Sequence, residues 1–314
     1  MTAIDHAGWT GLTGVPPELV ALAERCFTAD GGLPLAVERG FLAGRWTGRG
    51  VVAFAHRDGD GRLIAAGAAR PARGGASFTG LVDPAHRGRG IGSLLLDRGL
   101  AEARTLAHAP APSVGALAGG ALAGGAERLI TVETESLTED AEALFRSRGL
   151  RRAFAEDVMR IDLAAAAPAV RWPAGTTTVS WSAEVSRRFH AVYDAAFRER
   201  PGFPGDPADV WIADHEDDED FLPDCSLLAT LPAVGDAGFV VAARDWIVQV
   251  GVVPAARRLG LGSALVSEAL TRLRARGSDH AWLTVNLNNP GAAAAYRRLG
   301  FEHRGQRARY QALL

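Results

Sequence analysis

Short apolar strands alternating with amphipathic helices predict an α/β (α+β) chain, and its 314 residues are enough for two domains. Two observations carry this. Residues 252–273, VVPAARRLGLGSALVSEALTRL, run from an apolar strand through a glycine turn into a helix. Leu261, Leu265, Val266, Ala269, Leu270 and Leu273 form one apolar stripe along that helix. The same pattern stands earlier: Val82, Pro84, Ala85, Arg87, Gly90, Gly92, Ser93, Leu95 and Leu100 recur as Val252, Pro254, Ala255, Arg257, Gly260, Gly262, Ser263, Leu265 and Leu270, each pair 170 residues apart. A repeat with that offset means two tandem copies, each able to bury its own core, rather than one large core.

Taken in order, residues 17–30 place Leu19, Leu22, Ala23, Cys26 and Phe27 at helical spacing, and residues 34–46 do the same with Leu35, Val37, Phe41 and Leu42. Apolar runs at 50–56 and 63–70 flank Asp58-Gly59-Asp60-Gly61, a hairpin signal. A third strand at 77–82 feeds the first glycine turn and a helix over 90–107. Residues 110–125, rich in Ala and Gly, read as a flexible surface loop. That insertion accounts for Gly149-Leu150 and Gly300-Phe301 being only 151 apart. A strand at 128–133, a helix at 140–148 and a closing segment at 151–163 complete a first domain, 1–163. Residues 164–175, AAAAPAVRWPAG, read as an accessible linker because two prolines interrupt a stretch without periodicity.

The second domain, 176–314, opens with a strand at 177–181 and a helix carrying Phe189, Val192, Tyr193, Ala196 and Phe197 on one face. The proline-containing segment 198–205 ends that helix. A short helix around 210–213 leads into the acidic run 214–220, a solvated face or a wall that attracts cations. Strands follow at 225–230, 238–244 and 246–253, then the glycine-turn helix, a strand at 281–286, a helix at 291–299 and a closing strand at 304–313.

Composition excludes several functions. Hydrophobic residues are 47% and charged residues 22%, with a formal net charge of −2, so no electrostatic footprint points to nucleic acid. All the basic residues are arginine. Two cysteines, Cys26 and Cys225, give neither a disulfide framework nor a metal-ligand cluster. No uninterrupted stretch of eighteen apolar residues and no leader-like N-terminus occurs, which predicts a cytoplasmic protein that does not engage a membrane. Oligomeric state stays open.

Glycines at a helix start let a ligand approach the backbone, and the unpaired N–H groups of the first turn favour an anion such as a pyrophosphate. The Val-x-Pro-x-x-Arg-x-x-Gly-x-Gly pattern resembles the acyl-CoA-binding motif of the GNAT superfamily of N-acetyltransferases. Residues 285–301, VNLNNPGAAAAYRRLGF, resemble its second motif through Asn289, Ala292, Tyr296, Gly300 and Phe301. The resemblance covers most of 175–314 and, more weakly, the first half. It implies tandem GNAT-like domains, each a mixed, mostly antiparallel sheet flanked by helices, with acetyl-CoA as donor, no metal, and a small-molecule amine as acceptor.

The same resemblance assigns the parts. Backbone N–H groups around Arg257, Arg258, Leu259, Gly260, Leu261, Gly262 and Ser263 hold the pyrophosphate, and Arg87, Gly88, Arg89, Gly90 and Gly92 form the matching turn of the first copy. Val250 and Val252 face the pantetheine and thioester, Asn289 binds the CoA arm, and Tyr296 protonates the leaving thiolate. Phe145 stands where the second copy has Tyr296, so the first domain is expected to be catalytically silent. The strand before the second turn, Trp246-Ile247-Val248-Gln249-Val250-Gly251-Val252, lacks the glutamate many GNAT enzymes place there. Asp245, Glu216 or Asp217 could substitute, or the amine arrives neutral. The tandem layout also resembles enzymes that acetylate the cysteinyl amine of a thiol precursor. The alternative of another class is a pair of acyl-CoA-binding modules without turnover.

Overall fold

A computed structural model describes residues 8–72, 74–108, 128–200, 203 and 205–314. The Ala/Gly segment at 110–125 lies outside the described residues, as do positions 201, 202 and 204 of the segment that ends the first helix of the second domain. The chain forms two compact units, Met1–Asp157 with Arg304–Leu314, and Val158–His303.

In the first unit, β1 (Trp9–Gly11) precedes α1 (Pro17–Asp30), a 3-10 turn (Pro34–Val37) and α2 (Arg39–Trp46). The period read as one helix over 34–46 is thus two pieces. Glu38 is extended (φ −74°, ψ 138°) between them, while Leu42 and Trp46 still bury on one face. Strands β2 (Val52–Arg57) and β3 (Leu63–Ala72) form the hairpin, where Asp58 Oδ1 accepts the N–H groups of Asp60 (3.1 Å) and Arg62 (2.9 Å). β4 (Gly75–Val82), α3 (Ile91–His108), β5 (Leu129–Thr134), α4 (Glu139–Ser147) and β6 (Arg151–Asp162) follow. β1 to β4 pair antiparallel in sequence and β4 pairs parallel with β5. One core is built by Leu19, Leu22 and Cys26 of α1 and Leu42 and Trp46 of α2 against Ala66 and Ala68 of β3. On α3, a Cβ at Gly99 would stand 2.2 Å from Phe78 Cε2, so glycine there lets the helix settle onto β4.

In the second unit come β7 (Thr177–Ser180), α5 (Ser186–Phe197), α6 (Ala208–Glu216), β8 (Leu227–Leu231), β9 (Gly235–Ala243), β10 (Trp246–Val252), α7 (Leu261–Ala275), β11 (His280–Asn286) and α8 (Pro290–Arg298). β7 to β10 pair antiparallel in sequence, and β10 pairs parallel with β11. Its core is rich in aromatic rings: Trp181, Phe189, Tyr193, Trp211 and Phe239 are each no more than 6% exposed. Residues 164–175 contain no helix or strand. Arg274 donates to the carbonyls of Leu163 (2.9 Å) and Ala165 (3.2 Å), and Ala167 and Trp172 pack on this core, so the segment is tethered to the second unit.

The last strand, β12 (Glu302–Leu313), belongs by its pairing to the first unit. Ala308 to Leu313 run antiparallel to β5, with Ala308 and Tyr310 fully buried. The compact units therefore divide the chain differently from the boundaries 163 and 176. A strand belongs to the sheet that satisfies its N–H and C=O groups, and alternation along a sequence does not say which sheet that is.

Candidate active site

The second unit opens its sheet between β10 and β11. β10 and β11 share a single registered pair, Trp246 with Trp282, and then part. Opposite β9 the register shifts between Ile247 and Gln249, so Val248 bulges out and is 47% exposed. Residues 249–252 thus run toward the glycine turn without a partner on the β11 side. Val252 approaches the start of α7, its Cγ2 lying 3.5 Å from where a Cβ on Gly262 would stand. Gly251 and, two residues away on the same face, Gln249 look toward α5 and α6: a Cβ on Gly251 would stand 3.1 Å from Ala196 Cβ.

Beyond β10, a 3-10 turn (Pro254–Ala256) brings Arg257 into extended backbone and Arg258 into the left-handed region at φ +64°. Gly260, at φ +85°, ends the turn as the residue before α7, with no side chain capping the helix. The first-turn N–H groups at Leu261, Gly262 and Ser263 have no side-chain cap, and Leu259 beside them is exposed. A Cβ on Gly260 would meet nothing within 4 Å, so packing does not demand the glycine; the sign of φ does. The first unit repeats the device, with a 3-10 turn at Pro84–His86, Gly88 at φ +73°, Gly90 at φ +84°, and α3 starting one residue later. Arg89 is exposed there, and Gly92 has Leu144 3.6 Å from where its Cβ would be.

The arginine of each motif is engaged within the fold. Arg257 donates to Ala196 O and Glu199 Oε2, both at 3.0 Å, and to Val252 O at 3.3 Å. Arg87 donates to both carboxylate oxygens of Asp30 at 2.7 Å and to Val82 O at 3.2 Å. Each guanidinium ties its turn to the C-terminal end of a preceding helix, which makes it a strut for the turn.

Asn289 caps α8, its Oδ1 accepting the Ala292 N–H at 3.2 Å. About two turns on, Tyr296 is half-buried against the core, edge-on to Phe301 at 5.9 Å. Burial pushes its phenol up to about 12, with the charge of Arg200 opposing. The carboxylates considered as bases are placed as follows. Asp245 sits in the β9–β10 turn at φ +59°, its carbonyl accepting from Trp282 N. Glu216 Oε1 accepts the Trp181 indole N–H at 2.9 Å, Asp217 terminates α6, and Asp220 pairs with Arg244. His190 bonds the carbonyl of Asp206, and His280 contacts its neighbour Asp279.

Comparison with known proteins places this geometry. The Acetyltransferase (GNAT) family profile matches residues 17–111 and 184–301. The chain belongs to the GNAT acetyltransferase family. It is an acyltransferase of the N-acetyltransferase type, in a family that uses acetyl-CoA. The mycothiol acetyltransferase of Clavibacter sepedonicus is 31% identical over 300 residues, covering 90% of this chain and 87% of the relative. That of Nocardioides sp. is 30% identical over 323 residues, covering 95% and 96%. Among solved structures, a GCN5-related N-acetyltransferase from Sphaerobacter thermophilus matches with TM-score 0.76 at 24% identity, covering 98% of this chain and 96% of that one. A tandem GNAT protein from the clavulanic acid biosynthesis pathway matches at TM-score 0.59 and 19% identity, covering 97% and 98%. Both show the fold, and tandem GNAT domains account for the repeat.

Two features of this GNAT chain were not legible in its motifs. The first is a cavity of about 520 Å³ in the first unit, running from Gly88, Gly90 and Gly92 past Thr79–Val82 to Glu133, Glu135 and Arg45. Arg45 is ion-paired there to Glu133 and, at 2.9 Å, to Glu135; Arg70 and Arg309 bind the same two carboxylates. Phe145 lines the cavity where a tyrosine would bring a hydroxyl. The second is Gln249, whose Oε1 accepts the indole N–H of buried Trp211 at 3.2 Å. Glu133 lies on β5 and Glu135 just past its end, and no motif marks either for the first. Nothing local signals the second, because its partners are 38 residues apart. Among the described residues no group of three or more His, Cys, Asp or Glu could hold a metal ion, and no helix is long and apolar enough to cross a membrane.

Proposed function

We propose that the chain transfers an acetyl group from acetyl-CoA, without a metal, to the cysteinyl amine of a small thiol precursor in the cytoplasm, and that the chemistry belongs to the module 176–314. One observation carries the assignment: the uncapped helix start at Gly260 lies at the end of a strand that parts from its neighbour, and Tyr296 supplies a hydroxyl in this copy only. The donor supplies a thioester, activated for attack by an amine. Leu261, Gly262 and Ser263 N–H groups hold its pyrophosphate, aided by Arg258, whose left-handed backbone costs about 1–2 kcal/mol and is kept where the first copy has glycine. Val250 and Val252 line the arm, Asn289 meets it with the amide N–H₂ left over from capping, and the Tyr296 hydroxyl donates its proton to sulfur as the thiolate leaves. No carboxylate stands on β10, so the amine is taken up in its neutral form.

The 1–163 module is proposed to bind a donor at Arg87, Gly88, Arg89, Gly90 and Gly92 without turnover. Two features support silence: Phe145 has no hydroxyl, and Glu133 and Glu135 are neutralised by Arg45, Arg70 and Arg309. The acceptor class follows the mycothiol acetyltransferase relatives. The test is to incubate the full chain with acetyl-CoA and cysteinyl amides among a pool of amines and thiols, and to identify acetylated products by mass spectrometry. Acetyl on the cysteinyl nitrogen supports the reading. Acetylation confined to other amines replaces the acceptor, and CoA binding without any product points to a non-catalytic acyl-CoA-binding module.

A further inference from the structure

We infer that Gln249 determines acceptor specificity in the second unit: its carboxamide, fixed by Trp211, presents an N–H to a carbonyl oxygen beside the reacting amine, so the site selects amines α to an amide or similar carbonyl. The inference rests on the proposed placement of the donor along β10.

The orientation of the amide follows from donor and acceptor chemistry. An indole N–H only donates, so the Gln249 atom 3.2 Å from Trp211 Nε1 is the oxygen, and the N–H₂ is turned away from the indole. Trp211 is itself packed in the core. It is 4% exposed, stacked on Tyr193 at 5.0 Å and edge-on to His215 at 4.6 Å and Phe239 at 5.9 Å. A packed indole thus holds the carboxamide of half-buried Gln249, and the remaining edge of that carboxamide is a donor.

Position then decides what that donor meets. Gln249 follows the bulge at Val248 and precedes Val250, the segment where β10 has parted from β11. It shares its face with Gly251, toward α5 and α6 rather than toward α7 and the glycine turn. A donor arm running back from Gly260 along β10 occupies the α7 side of this strand, leaving the Gln249 face to the acceptor. A hydrogen-bond donor aimed at the lone pair of the attacking nitrogen would blunt the nucleophile. A productive acceptor therefore meets the Gln249 N–H with a neighbouring oxygen, which a cysteinyl amide carries on the carbon bonded to the amine-bearing one.

The test uses the full chain and two acceptors that share a primary amine and a thiol, cysteinamide and cysteamine, of which only the first has the carbonyl. The readout is the ratio of their kcat/KM values in the parent, Gln249→Glu, Gln249→Met and Trp211→Phe, with near-UV circular dichroism reporting the fold. Gln249→Glu keeps an oxygen for the Trp211 N–H but has no N–H to give; Gln249→Met has neither. Both are expected to lower the parent's preference for cysteinamide by about two- to tenfold, the worth of one hydrogen bond. Trp211→Phe lets the carboxamide turn and is expected to lower it by less. A ratio unmoved in both Gln249 variants overturns the inference and leaves the proposed acceptor standing. A parent that acetylates neither amine overturns both.

Discussion

Gly90 and Gly260 hold the same left-handed backbone, φ +84° and +85°, each one residue before a long helix begins. Neither has an atom within 4 Å of where a Cβ would be, so the fold has room for a side chain at both. The conformation does not: a β-branched residue at that φ is strained, and its side chain would project into open space at the turn. Gly260→Val is expected to fold with a modest loss of stability, about 1–2 kcal/mol, and to bind CoA at least tenfold more weakly. Calorimetry with parent-like affinity would remove the anion site from this turn.

Tyr296→Phe keeps the ring edge-on to Phe301 and removes only the oxygen. General acid catalysis contributes about 10²–10⁴-fold, against about tenfold at most for one lost hydrogen bond. Turnover should fall by more than about a hundredfold by that estimate, with acetyl-CoA affinity little changed. Because burial raises the phenol to about 12, the group stays protonated, and the parent's kcat should show no decline from Tyr296 between pH 8 and pH 10. Turnover of the variant within a few-fold of the parent, with chemistry rate-limiting, would make Tyr296 a packing residue.

His215 is packed between Trp211, Trp181 and Phe221, and burial holds its pKa below 6.5, opposed by Asp214 and Asp218. The folded state thus binds a proton less readily than the unfolded chain, so the stability this neutral ring contributes is full above about pH 6.5 and is lost as pH falls through that value. His215→Phe should lose less stability than the parent between pH 7.5 and pH 5. Glu18 and Asp236, whose pKa values are lowered by hydrogen bonds from Arg57 and Arg188, act only at lower pH. Parallel denaturant midpoints for parent and variant across that window would contradict the assignment.

β12 completes the first unit, with Ala308 and Tyr310 fully buried and six registered pairs to β5. Deleting residues 304–314 should expose a strand edge and unfold the first unit, and a truncation ending at 163 should not fold for the same reason. Tyr310→Ala, a large-to-small change beside Phe145, is expected to cost about 3–5 kcal/mol. A cooperative, parent-like melt of the 1–163 truncation would show that β12 is dispensable to that sheet.

What the sequence determined was whatever depends on neighbours along the chain. The hairpin at Asp58–Gly61, the helix over Pro17–Asp30, the two glycine turns and the cap at Asn289 are local, because backbone sign, capping and periodicity are set within a few residues. The 170-residue repeat predicted two copies, and both turns have the same conformation in the structure. What only the tertiary structure decided was how distant residues meet. The strut from Arg257 to Ala196 and Glu199, the bond from Trp211 to Gln249, and the convergence of Arg45, Arg70 and Arg309 on Glu133 and Glu135 each join residues tens of positions apart. So does the pairing that assigns β12 to the first unit. A side chain's partners, and a strand's sheet, are chosen by which groups satisfy each other's hydrogen bonds once the chain is packed, and that choice leaves no period in the sequence.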